Sequence, residues 1–120
     1  MDLLEVFRDS PDLVSFPVGA VVFDEGTEGH VMYVVVEGEV EISLHKKTLA
    51  IVKPGAIVGE MALINAKMRS ATATCRTGCL LAPIDQTSFE SMLRHVPDFS
   101  LYVMNVLADR LHTAYRLLED

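Results

Sequence analysis

The feature that most restricts this chain is how its apolar residues are parcelled out between Leu13 and Asp85. They come in short β-rich runs, each closed by glycine, proline or polar turn residues before a helical repeat can develop. The runs fall at 13–16, 20–23, 31–36, 40–44, 49–52, 71–76 and 80–84, with a bridging piece near 56–58. Between them lie Pro17-Val18-Gly19, Glu25-Gly26-Thr27-Glu28-Gly29, Glu37-Gly38, residues 45–48, Pro54-Gly55 and Gly78. In Val40-Glu41-Ile42-Ser43-Leu44 strict alternation sends Val40, Ile42 and Leu44 to one face and Glu41 and Ser43 to the other. Many short strands joined by tight turns predict a β-sandwich or jelly roll and not a βαβ fold.

Helical periodicity flanks this region. Residues 2–8 read as a short amphipathic helix with Leu3, Leu4 and Phe7 on one side, stopped by Asp9-Ser10-Pro11. After Asp85, Thr87 or Ser88 is placed to cap a helix to about His95 with Phe89, Met92 and Leu93 inward, and Pro97 prevents its direct continuation. A second helix is predicted over 98–118, with Leu101, Met104, Leu107, Leu111, Ala114 and Leu118 three and four apart. The expected architecture is mainly β with flanking helices, one domain over 1–120: an N-terminal helix within 1–12, a roll over 13–85 and two helices over 87–119.

Ten basic against seventeen acidic residues give a net charge of −7. Phosphate-backbone binding needs a clustered basic face, so direct contact with nucleic acid is disfavoured; Lys46-Lys47 reads as a solvated hairpin tip. Cys75 and Cys79 are expected as reduced thiols flanking a turn, since His30, His45, His95 and His112 are too dispersed to complete a zinc site. No apolar run reaches membrane-spanning length and no signal-peptide core is present, so the cytoplasm is the expected compartment.

Against that background one stretch stands out: Gly59-Glu60-Met61-Ala62-Leu63-Ile64-Asn65-Ala66-Lys67-Met68-Arg69-Ser70-Ala71-Thr72-Ala73 sets two opposite charges in mostly apolar or small surroundings. Burying an ionised group costs several kcal/mol unless it is paired or hydrogen-bonded. Glu60 and Arg69 are therefore either each other's partners or the polar handles of a ligand pocket. Gly59 permits close backbone approach, and 60–65 suits a single helical turn with outward N–H groups, so an anion such as phosphate fits the second alternative.

The run Gly59-Glu60-Met61-Ala62-Leu63, five residues, then Arg69-Ser70-Ala71-Thr72 resembles the phosphate-binding cassette of cyclic-nucleotide-binding domains. These occur in kinase regulatory subunits, bacterial catabolite regulators and cyclic-nucleotide-gated channels; the cassette is most similar to the bacterial potassium-channel and catabolite-regulator types. The resemblance spans about 13–118. It implies that Glu60 accepts from the ribose 2′-hydroxyl, that Arg69 pairs with the exocyclic phosphate oxygens, and that backbone around Gly59, Met61, Ala62 and Ser70 completes the cradle in a one-turn cassette helix. It also implies Ile42 and Leu49 as walls of the base pocket, and Arg110 as the residue of the last helix that covers the purine; Tyr115 is the alternative cover. Gly26, Gly29, Gly38 and Gly55 match turn glycines of the family, expected to permit positive φ. Two positions depart from the pattern. Met68 stands where proline is frequent, which is expected to loosen the loop presenting Arg69, and Ala73 stands where a β-branched residue is usual.

The implied function is a non-catalytic regulatory module that binds cyclic AMP, or less readily cyclic GMP, with no cofactor and an unnamed downstream effector. The alternative is an interaction module of the same fold that has lost its ligand and dimerises through the last helix, whose stripe approximates a heptad seam. A metal-dependent enzyme on a similar roll would need converging histidines, and no His-x-His pair occurs. Relatives that bind DNA append a reader domain after the long helix; this sequence ends at Glu119-Asp120, so either that domain is absent or the sequence has been cut.

Overall fold

The computed structural model describes residues 1–119, with backbone only at Asn65 and Ala66; Asp120, the last residue of the expected domain, lies outside the described residues. The chain divides into two compact units, residues 2–86 and the helices that follow from Thr87.

The first unit opens with α1 (Leu3–Phe7), whose first turn is capped by Asp2 Oδ1 accepting from the Glu5 N–H at 3.1 Å. The strands are β1 (Val14–Phe16), β2 (Val21–Phe23), β3 (Val31–Glu37), β4 (Val40–Leu44), β5 (Lys47–Val52), β6 (Ile57–Val58), β7 (Thr72–Cys75) and β8 (Cys79–Asp85). They form two four-stranded antiparallel sheets in the orders β1-β8-β3-β6 and β2-β7-β4-β5, a jelly roll. β5 starts at Lys47, two residues before the predicted strand, so the β4–β5 tip is reduced to His45 and Lys46, both in left-handed backbone. Lys47 therefore belongs to a strand rather than to the tip.

Val35, Val40, Val52, Val58, Ala73, Cys75, Cys79 and Leu81 form a buried core between the sheets. Phe16, Val22, Phe23, Tyr33, Ile42 and Ala56 pack against it. Register explains the small residue at 73. Ala73 lies opposite Phe23 on β2 and opposite Ile42 on β4, so two large side chains flank it in one cross-strand row, where a third would overfill the core.

In the second unit α2 (Gln86–His95) begins one residue before the predicted cap, which places Thr87 and Ser88 inside the helix. Pro97 is the first residue of α3 (Pro97–Glu119), a position where its missing N–H costs nothing. The Phe89 and Phe99 rings meet edge to face at 5.9 Å, and Ser100 Oγ donates to the Leu93 carbonyl at 2.8 Å. Phe89 is buried as expected, with Met92 and Leu93 half-buried. Leu101, Met104, Leu111, Tyr115 and Leu118 of α3 are exposed while Leu107 is half-buried, so the exposed seam passes through Tyr115 and not Leu107. Among the described residues no helix is long and apolar enough to cross a membrane.

Candidate functional site

β6 leads into Gly59, whose φ of +84° turns the chain abruptly into Glu60. The predicted single turn is a π-helical turn, Ala62–Ala66, closed by the Lys67 N–H returning to the Ala62 carbonyl at 3.1 Å, with Lys67 in left-handed backbone. Gln86 Nε2 donates to the Leu63 carbonyl at 2.9 Å and pins the turn from the far end of the roll sequence.

The chain then returns along the loop between β2 and β3. The Arg69 N–H donates to the Thr27 carbonyl at 2.7 Å, the Gly26 N–H to the Arg69 carbonyl at 2.9 Å and the Gly29 N–H to the Lys67 carbonyl at 2.7 Å. Glu28 and Met68 sit opposite each other in this short ladder. The segment that presents Arg69 is thus tied by backbone hydrogen bonds on both sides of Met68. The same loop is anchored to the β4–β5 tip and β7. Glu25 Oε1 accepts from the His45 N–H at 3.1 Å, His45 Nδ1 lies 3.2 Å from Oε2, and the Glu25 N–H donates to Thr72 Oγ1 at 3.0 Å.

Glu60 is 0% exposed and Arg69 7% exposed, the two charged side chains buried in this unit. Among the described residues they form no ion pair with each other, nor does Arg69 pair with another carboxylate. Arg69 instead rests on neutral groups: Nη1 donates to the Gly59 carbonyl at 3.1 Å and Nη2 to the Val31 carbonyl at 2.6 Å. Its Cζ lies 4.1 Å from the centre of the Phe23 ring, a cation–π contact. Nε is buried without a hydrogen bond. Burial lowers the guanidinium pKa, partly offset by Tyr33, and an arginine so placed stays charged at neutral pH. A buried, charged guanidinium that spends two of its five N–H donors on carbonyls and has no carboxylate partner among the described residues can accept an anion. Of the two alternatives for Glu60 and Arg69, mutual pairing is the one the geometry removes.

A model of the family described as "Cyclic nucleotide-binding domain" matches residues 13–96. The chain belongs to that family. The CRP-like cAMP-activated global transcriptional regulator of Mycobacterium tuberculosis is 30% identical over 112 residues, covering 89% of this chain and 50% of that protein. A cGMP-dependent protein kinase of Drosophila melanogaster is 31% identical over 80 residues, covering 67% of this chain and 7% of the kinase. The crystal structure of the Thermus thermophilus Catabolite Activator Protein matches with a TM-score of 0.79 at 28% identity, over 89% of this chain and 53% of that one. The chain thus spans about half the length of the bacterial regulators it resembles.

Within this cyclic nucleotide-binding domain the cassette residues are gathered at one place. Gly59 and Arg69 are hydrogen-bonded, Glu60 follows Gly59, and Ser70 Oγ lies 3.5 Å from Met61 Sδ, which seats Ser70 beside the start of the helical turn that contains Ala62. Ile42 is on the inner face in the row with Ala73 and Phe23. Leu49 is 39% exposed and sits at a bulge, between Thr48 opposite Ser43 and Ala50 opposite Ile42. Arg110 lies in α3, half-buried. Phe23, Val31 and Gln86 escaped sequence reading. Phe23 was only the last residue of the 20–23 strand run, Val31 contributes only a carbonyl, and nothing local ties Gln86 to a residue 23 positions earlier.

Proposed function

We propose that this chain is a non-catalytic sensor module that binds a cyclic purine nucleotide at the 59–70 cassette, cyclic AMP in preference to cyclic GMP. The observation that carries this reading is Arg69: buried, charged, without a carboxylate partner among the described residues and with Nε unbonded. In this reading Arg69 takes the exocyclic phosphate oxygens, Glu60 accepts from the ribose 2′-hydroxyl, and backbone at Gly59, Met61, Ala62 and Ser70 completes the cradle. Ile42 and Leu49 contact the base, and Arg110 of α3 covers it. The preference for cyclic AMP is supported by the broader match to the regulator named as cAMP-activated than to the kinase named as cGMP-dependent. Signalling follows if α3 binds the nucleotide in one of two arrangements only, because a ligand shifts an equilibrium solely through differential contacts.

Paired calorimetric titrations with cyclic AMP and cyclic GMP, on protein shown to be free of bound nucleotide, test the proposal. Saturable one-to-one binding, tighter for cyclic AMP, is expected. No heat and no thermal shift with either nucleotide at about millimolar concentration would remove it.

A second reading concerns the same chain's association. The exposed seam Leu101, Met104, Leu111, Tyr115 and Leu118 follows heptad spacing on α3, which favours self-association of two copies through that helix. Sedimentation equilibrium distinguishes a dimer from a monomer, and Leu111→Glu is expected to shift the balance to monomer.

A further inference from the structure

Gly29 was expected to serve a left-handed turn, as Gly26, Gly38 and Gly55 do, but it is not among the residues of positive φ. A positive φ is therefore not what requires glycine at this position. What sets Gly29 apart is the neighbour its missing side chain would meet. A Cβ built there would fall 2.5 Å from Cζ and 2.8 Å from Cδ of Arg69, and closer still to Nε, all well inside van der Waals contact. Gly26 and Gly19, by contrast, face open space.

Arg69 has little freedom to move aside. Its guanidinium is bonded to the Gly59 and Val31 carbonyls and lies over Phe23, and its backbone is tied on both sides to Thr27 and Gly26. Gly59 is tight as well, since a Cβ there would lie 2.6 Å from Nη1. Both the stem and the head of Arg69 are therefore packed against a glycine. The two glycines differ in kind: Gly59 also needs its positive φ, whereas Gly29 supplies clearance alone.

We propose that Gly29 is a positioning residue for Arg69: the absence of a side chain at 29 leaves the room that the arginine side chain occupies and fixes where its Nε points. The proposal rests on the reading of Arg69 as the phosphate ligand. Alanine at 29 keeps the N–H that bonds the Lys67 carbonyl, so Gly29→Ala tests clearance and not that hydrogen bond.

The experiment is a double-mutant cycle in the full 120-residue chain, reading cyclic AMP affinity by calorimetry and melting temperature without ligand, for Gly29→Ala, Arg69→Ala and the double variant. Gly29→Ala is expected to weaken binding about tenfold or more and to lower the melting temperature. Added to Arg69→Ala, the same change is expected to leave the melting temperature within about 2 °C of the single Arg69→Ala variant, because the colliding side chain is gone. If Gly29→Ala alone fails to fold, a folded double variant supports the proposal and an unfolded one overturns it. Equal destabilisation in both backgrounds overturns it, as does wild-type affinity in Gly29→Ala while Arg69→Ala loses binding. If Arg69→Ala itself binds normally, the phosphate reading fails, and the melting temperatures still decide whether Gly29 makes room for Arg69.

Discussion

Arg69 Nη1 donates a 3.1 Å hydrogen bond to the carbonyl of Gly59, the residue immediately before Glu60. That bond joins the two ends of the cassette across ten positions of sequence, and among the described residues the Glu60 carboxylate and the Arg69 guanidinium form no ion pair. A buried ion pair between them would have satisfied both charges and left nothing for a ligand. Carbonyl acceptors hold the guanidinium in place while its positive charge remains uncompensated.

Arg69→Ala is expected to weaken cyclic nucleotide binding by about 1.5 kcal/mol or more, roughly tenfold, the size of a single charge-assisted hydrogen bond. Calorimetry on the folded variant reads it, with far-ultraviolet circular dichroism confirming that the roll persists. Arg69→Lys is expected to recover only part of the affinity, since an ammonium cannot bond two carbonyls and an anion with the same fork.

The ribose role of Glu60 separates from a merely structural one by changing the ligand as well as the protein. Wild-type protein is expected to bind a 2′-deoxy cyclic nucleotide about 1–2 kcal/mol more weakly than the ribonucleotide. Glu60→Gln is expected to bind the ribonucleotide more weakly and to discriminate less between the two sugars. Undiminished discrimination in Glu60→Gln would take the sugar contact away from this residue.

Gln86 holds the π-helical turn through the Leu63 carbonyl at 2.9 Å. Gln86→Ala removes that tether, with an expected cost of about 0.5–1.5 kcal/mol in urea unfolding. Amide exchange is expected to quicken at 62–67 more than in the strands, because the loss falls on one local turn.

Cys75 gives the domain an alkaline limit. Burial, and after it the neighbouring Cys79 thiol, pushes its pKa from an ordinary 9.0 up to about 12. A folded pKa above the unfolded one means that the unfolded chain releases the proton first, so stability is intact below about pH 9 and falls as pH climbs toward 12. The slope is at most about 1.4 kcal/mol per pH unit. Urea midpoints across that range are expected to fall less steeply in Cys75→Ala than in wild type, and parallel curves would remove the thiol as the cause. At neutral pH the same burial is expected to keep Cys75 unreactive to iodoacetamide until the chain is unfolded.

The sequence by itself determined what is local. Short β-rich runs placed the strands, glycine and proline placed the turns, and Glu60 and Arg69 announced a site because charge is costly in apolar surroundings. Its errors were likewise local ones: β5 beginning two residues early, α2 starting ahead of its expected cap, and Gly29 assigned a torsion it does not adopt. Only the tertiary structure decided how Arg69 is held. Its supports are the carbonyl of Val31, 38 positions away, the ring of Phe23 and the empty side of Gly29. None of these carries a sequence signal, because a carbonyl is common to every residue and a missing methyl matters only once another segment is folded against it. The seam on α3 divides the same way: helical spacing named its apolar residues, and burial, which depends on what packs around the helix, selected Tyr115 over Leu107 for its exposed face.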